Sequence, residues 1–310
     1  MLRFIARRAL YTVIVLVAAS IVIFYGLRIA PGKPEDTLFN PYATQEAKEA
    51  LRVKLGLDRP LVVQYLYFVR DFFRGDFGES IKSGQPIPEL IRQYGKNSLI
   101  LVGASAIFTY LLAIPLGVLA ASRRERATDH AIQTFASVEL GIPNFLLALL
   151  LVLVVAPRLG LPISGTGGLS HLILPVIALS AEGVGVTLRL MRSSMIEQLD
   201  LDYVRALRAK GLPRRTIVWR RALRNALIPI VSLSGIQLGA LIGYTAIIEI
   251  IFRWPGLGQL LVTAVLQRDY PVALWLSLLL TASVVFFNFL ANIGYALVDP
   301  RIRDAGQKAA

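Results

Sequence analysis

The sequence predicts an all-α integral membrane protein. It has six transmembrane helices, a long external segment between helices 1 and 2, and a cytoplasmic hairpin between helices 4 and 5. Three observations lead there. Of 310 residues, 55% are hydrophobic and 17% charged, whereas soluble domains carry about 25% charged residues. The mean hydropathy is +0.61. Apolar runs of the roughly 20 residues that cross a bilayer as a helix recur along the chain, with arginines gathered on alternate flanks.

The spans follow in order at 9–29, 99–121, 131–156, 171–191, 226–252 and 273–298. The first follows Arg3, Arg7 and Arg8 and is longer than the apolar core of a signal peptide, so it reads as a retained helix. Asn97 and Ser98 are the capping candidates that open the second. Basic residues before span 1 and in the loops after spans 2 and 4 (Arg123, Arg124, Arg126, the hairpin cluster), with Arg301, Arg303 and Lys308 after span 6, fall on one side. That side is expected to be cytoplasmic, with both termini inside.

The external segment 30–96 is polar and mixed in charge. Within it "ATQEAKEALRVKLG" reads as a helix from Thr44 to a stop at Gly56, and "VQYLYFVRDFFRGDFG" as an amphipathic helix ending near Gly75. The aromatics of the second suit either the membrane interface or packing against the bundle. No repeat or linker is visible, so residues 1–310 form a single membrane domain.

Several functions are disfavoured. The chain has no cysteine and two histidines, His130 and His171, far apart in sequence, so no metal centre is expected. A net charge of +13 would point to nucleic acid in a soluble protein. Here the basic residues flank spans and no aromatics interleave with them, so no nucleic acid is expected. No G-x-x-x-x-G-K-[ST], H-E-x-x-H or G-x-S-x-G occurs, and the D-F-G within "RGDFGES" stands without the rest of a kinase set. No catalytic residue is assigned.

Inside the spans, Gly235, Gly239 and Gly243 recur every four residues, which lets another helix approach closely, either within the bundle or between subunits. Pro115, Pro143 and Pro229 can kink their helices. A carboxylate at the bilayer centre costs about 2.5–3.5 kcal/mol and needs a partner or a watered cavity. Glu139, Glu182 and Gln237 are the candidate residues of a translocation path, Glu182 being the deepest acid. Glu249, near the outer end of span 5, reads as solvated at the interface. Asn288 and Asn292 share a face of the last span and suit interhelical hydrogen bonds.

The hairpin 193–225 is crowded with arginine. Met195, Leu199, Tyr203, Ala206 and Lys210 recur at spacings of three and four, predicting one helix over 193–210. Gly211 can take the left-handed conformation that closes a helix, and Pro213 can start the next. Ala206, Ala209 and Gly211 keep the tip slim. Such a tip fits a groove on another protein, and a basic amphipathic helix also suits membrane lipid.

"DYVRALRAKGL" resembles the coupling loop of ABC importer permeases of the dipeptide/oligopeptide (peptide/nickel) family, and the match continues through "RRALRNALIPIV". Where the wider permease pattern has Glu-Ala-Ala, this chain has Arg205, Ala206 and Leu207. "RGDFGES", "EIIFRWPGLGQLL", "ALVDPRIRD" and "RFIARRAL" are similar to further family segments, so the resemblance spans nearly the whole chain in order.

The resemblance implies a permease subunit that forms, with a second homologous permease, the path for peptides, with nickel or oligosaccharide as other substrates of the family. Tyr203, Arg205, Ala206, Arg208, Ala209, Lys210, Gly211 and Leu212 would couple it to two ABC ATPase subunits. ATP and Mg would bind in those partners and no cofactor in this chain. An extracytoplasmic substrate-binding protein would deliver substrate at a bacterial or archaeal cytoplasmic (inner) membrane. Two other classes are an ion-coupled carrier, which would need inverted repeats, and a lipid-binding membrane scaffold.

Overall fold

Bilayer hydrocarbon offers backbone groups no water, so each apolar run must satisfy them within a helix. The computed structural model describes residues 2–29, 46, 53 and 58–298. Among these residues the helices in chain order are α1 (Leu2–Ile29), α2 (Leu61–Arg74), α3 (Ile87–Ser122), α4 (Ala127–Gly141), α5 (Asn144–Leu159), α6 (Leu169–Asp200), α7 (Asp202–Ala209), α8 (Arg214–Ile251), α9 (Leu257–Leu266) and α10 (Tyr270–Val298). Five are long and apolar enough to cross a membrane, namely α1, α3, α6, α8 and α10, and the bent pair α4–α5 makes a sixth if it counts as one span. Strand-type pairing among the described residues is one isolated bridge, Glu79 with Pro86. Of the first external helix only Glu46 and Val53 are described, both helical; Thr44, Gly56, the Asp299–Arg301 ending and the Asn292 side chain lie outside the described residues.

Three expectations are corrected. α3 begins at Ile87, twelve residues before the apolar run at 99, with Pro88 and Glu89 in its first turn. Its early turns carry Glu89, Arg92, Gln93 and Lys96, so hydropathy alone hides them. Asn97 and Ser98 are therefore interior to the helix and not its caps. The third span is no single helix. Ile142 is extended (φ −104°, ψ 117°) ahead of Pro143, which disfavours a helical predecessor, and α4 and α5 meet at 100°.

The third correction concerns the helix expected over 193–210, which breaks at Leu201, extended at ψ 151°. Asp200 ends α6, where negative charge opposes the helix dipole, and Asp202 opens α7, where the dipole favours it.

The helices α3, α6 and α8 pack together as the centre of the molecule, with α10 along α8. At one end the core holds Leu101, Leu179, Leu241, Ile248, Phe252 and Trp254. At the other, Val118, Ala121, Met191, Met195, Val218, Ala222, Ala226 and Ile230 form one cluster. α1 packs on α10 and α2 and leaves Val13, Val17 and Val22 exposed, an outer surface suited to lipid. The aromatics of α2 differ in their surroundings. Tyr65 and Phe68 meet Phe24, and Phe68 lies 4.7 Å from Trp275, whereas Phe72 and Phe73 are exposed. Gly75, at φ 73°, ends α2 where expected.

Candidate functional site

The hairpin is closed by backbone geometry. Gly211 sits at φ 76°. Its N–H donates to the Arg208 carbonyl at 2.9 Å, and the Leu212 N–H reaches back to the Leu207 carbonyl at 3.2 Å. This pair of bonds is the Schellman closure, which needs a left-handed residue at this point. Open space surrounds the Gly211 α-carbon, so the constraint is conformational and not steric. Pro213 follows in extended backbone, and its carbonyl accepts from the Thr216 and Ile217 amides to start α8.

The apex is exposed: Arg205, Ala206, Arg208, Ala209, Lys210 and Gly211 all face outward, while Tyr203 and Leu212 are half-buried. Tyr203 Oη donates to Gln198 Oε1 at 3.2 Å, and Arg205 pairs with Asp202 on the surface. The root is buried. Val204 is fully buried, α7 touches α6 and the stretch Ile217–Ala222 of α8, and Ile217 and Val218 in that stretch are buried too. Arg214 donates to the Ser122 carbonyl, tying the start of α8 to the last turn of α3. Asp129, 2% exposed, receives Arg192 Nε and Nη2 at 2.7 and 2.6 Å, which ties α4 to α6. The base of the hairpin is thus in contact with α6 and α8, and Arg214 links it to α3.

Between those three helices lies a cavity of about 190 Å³. Glu182 and Gln237, two of the three path candidates, line it together with Thr109, Tyr110, Asn144 and Tyr244. Glu182 is exposed. Gln237 is a crosslink: its Oε1 accepts from Tyr110 Oη at 3.0 Å and Thr187 Oγ1 at 3.1 Å, and its Nε2 donates to Thr187 Oγ1 at 2.9 Å. Glu139 is not among the lining residues. It packs against Gly185 of α6, where an added Cβ would lie 3.0 Å from its Oε2, and that oxygen is buried without a hydrogen-bond partner among the described residues. The glycine series also divides. Gly235 abuts Ala291 and Gly239 lies close to Val284, both on α10, whereas nothing lies within 4 Å of an added Cβ at Gly243.

At the end opposite the hairpin stands a polar centre that sequence reasoning missed. Glu249, expected to be solvated, is fully buried. Its carboxylate accepts from Ser98 Oγ, from the Gly258 amide at 2.8 Å and from the Gln259 amide at 3.0 Å, so it caps the N-terminus of α9. Ser98 Oγ in turn accepts from the Leu257 amide at 2.8 Å. Asn97 Nδ2 donates to the Pro255 carbonyl, and Trp254 Nε1 to the Asn97 carbonyl. A Cβ at Gly256 would overlap the Glu249 carboxylate, and one at Gly258 would overlap Ala246. Nearby, buried Asp269 accepts from Ser80 Oγ and the Ile81 amide, fastening the 78–83 turn. The visible signal was the glycine spacing around a lone acid.

Comparison with known proteins bears on the whole chain. Residues 113–304 match the family model described as binding-protein-dependent transport system inner membrane component, and residues 1–100 match the model of its N-terminal region. The chain is 37% identical over 314 residues to the oligopeptide transport system permease protein AppB of Bacillus subtilis, covering 97% of this chain and 99% of the relative. It is 36% identical over 304 residues to the glutathione transport system permease protein GsiC of Salmonella typhimurium, covering 98% and 99%. Among solved structures, the MetNI methionine ABC transporter in an inward-facing conformation aligns with a TM-score of 0.58 at 21% identity, over 69% of this chain and 98% of that one. That likeness shows a common fold.

Proposed function

This chain belongs to the family of binding-protein-dependent transport system inner membrane components, and on that premise we propose that it imports peptides. Its family membership makes it the membrane permease of an ABC importer, with ATP hydrolysis in separate ATPase subunits. Peptide is the substrate class that relatives aligned over nearly the full chain support, their names specifying oligopeptide and glutathione.

The residues Tyr203 to Leu212 form the ATPase-coupling element. The observation that carries this assignment is the exposed, left-handed turn at Gly211, mounted on a root that touches α6 and α8, with Arg214 bonded to the Ser122 carbonyl of α3. A protein groove closing on the apex would displace a slim, rigid elbow. Its buried root would pass the displacement to the walls of the cavity lined by Glu182 and Gln237, the proposed path. Shifts between two discrete packings are the usual form of such transitions. The hairpin end faces the cytoplasm, with both termini inside, α4–α5 counting as one broken span, and the partners are a second permease, two ATPase subunits and an external binding protein.

Proline fixes φ near −65° and cannot occupy the 76° of Gly211. Gly211→Pro should abolish uptake while the protein still reaches the membrane, because nothing packs at that site. Normal uptake by this variant would refute the coupling role. For substrate, ATPase activity of the reconstituted complex with its binding protein should rise with peptides and not with nickel chelates or oligosaccharides.

A further inference from the structure

From Tyr203 to Ile248 the chain contains no aspartate or glutamate. Within that stretch Arg215, Arg220, Arg221 and Arg224 are exposed, and among the described residues none of them forms an ion pair. They differ from Arg214, which is spent on the Ser122 carbonyl. They also lie beyond the apex, at the start of the long helix α8. Trp219 stands among them, 44% exposed.

The direction of this face identifies what it meets. The inward face of α8 carries Val218, Ala222, Ala226 and Ile230, all in the core. The outward face runs from Arg220 and Arg224 to Ile228 and Val231, which are 45% and 56% exposed. Exposed apolar side chains on a membrane helix suit acyl chains. Arginines one to two turns before them then lie at headgroup depth, and an exposed tryptophan is the residue type that settles at that interface. Clustered arginines immediately beside a span attract anionic lipid phosphate, and a guanidinium can bind phosphate with two parallel hydrogen bonds.

We propose that Arg220, Arg221 and Arg224, with Trp219, form a binding site for the phosphate of an anionic phospholipid in the leaflet on the hairpin side. The site holds the base of the coupling elbow at fixed depth while the apex stays free for the ATPase. It rests on the inward orientation proposed above.

The test uses the full complex with its ATPases in nanodiscs of phosphatidylcholine doped with brominated phosphatidylglycerol or brominated phosphatidylcholine. The Trp219 contribution is read as the difference between wild type and Trp219→Phe. Brominated phosphatidylglycerol should quench it at a much lower mole fraction than brominated phosphatidylcholine. Arg220→Gln/Arg221→Gln/Arg224→Gln should raise the fraction needed roughly a hundredfold, at about fivefold per arginine, with the ATPases still bound. Equal quenching by the two lipids, or an unchanged preference in the triple variant, would overturn the site. So would loss of ATPase binding with lipid preference intact, which would assign these arginines to the protein partner. A single cysteine at Lys210 separates failure of the orientation: labelling by an impermeant maleimide from outside intact cells would overturn the inward reading itself.

Discussion

At the end away from the hairpin, α3 and α8 are joined by buried polar groups that satisfy one another. At the hairpin end they are joined mainly by apolar side chains, while most of the charged groups point outward. Glu249 illustrates the first arrangement, with three donors around one fully buried carboxylate. The apex from Arg205 to Gly211 illustrates the second, exposed and held in shape by its own backbone. The difference is physical. A buried, fully hydrogen-bonded polar group has one good geometry and a steep penalty for leaving it. An apolar cluster such as that around Met191 and Met195 loses less when its members slide, methionine being the most adaptable of core side chains. On the coupling role proposed above, the far end would hold while the hairpin end moves.

The comparison can be broken by substitutions of graded effect. Glu249→Ala strips the cap from two amides and from Ser98, and should destabilise the purified permease by about 3 kcal/mol. Its thermal melting would show this; a wild-type melting curve would end the idea of a fixed far end. Ser98→Ala removes one donor to Glu249 and the acceptor of the Leu257 amide, and should cost about 1–2 kcal/mol in the same assay. At the other end, Tyr203→Phe loses a half-buried bond to Gln198 and should change stability by no more than about 0.5 kcal/mol. A Tyr203→Phe effect as large as that of Ser98→Ala would show the hairpin to be part of the rigid frame.

How much of this was legible depended on sequence distance. The hairpin was readable because its determinants are local: Gly211 and Pro213 act on their own turn, and Gly75 ends α2 in the same way. The break at Leu201 was also local, yet the 3.6-residue pattern ran across it and masked the opposed charges of Asp200 and Asp202. The polar centre was unreadable because Ser98 and Glu249 lie 151 residues apart and meet through tertiary packing alone. Gly256 and Gly258 could be matched to a family pattern as letters. Why they are glycine requires knowing that Glu249 and Ala246 occupy the space beside them. Of the three candidates, Glu182 and Gln237 line one cavity and Glu139 does not, a grouping set by packing between helices that the sequence pattern does not display.

The most direct test of the account is a crosslink. The chain has no cysteine, so one placed at Ala209 is a unique reporter on the exposed apex. In the reconstituted importer it should join to the ATPase subunit through a short bifunctional reagent. It should also be shielded from an impermeant maleimide added to the outer face of intact cells. Labelling from outside, or an assembled and active complex in which Ala209→Cys never reaches the ATPase, would contradict the account.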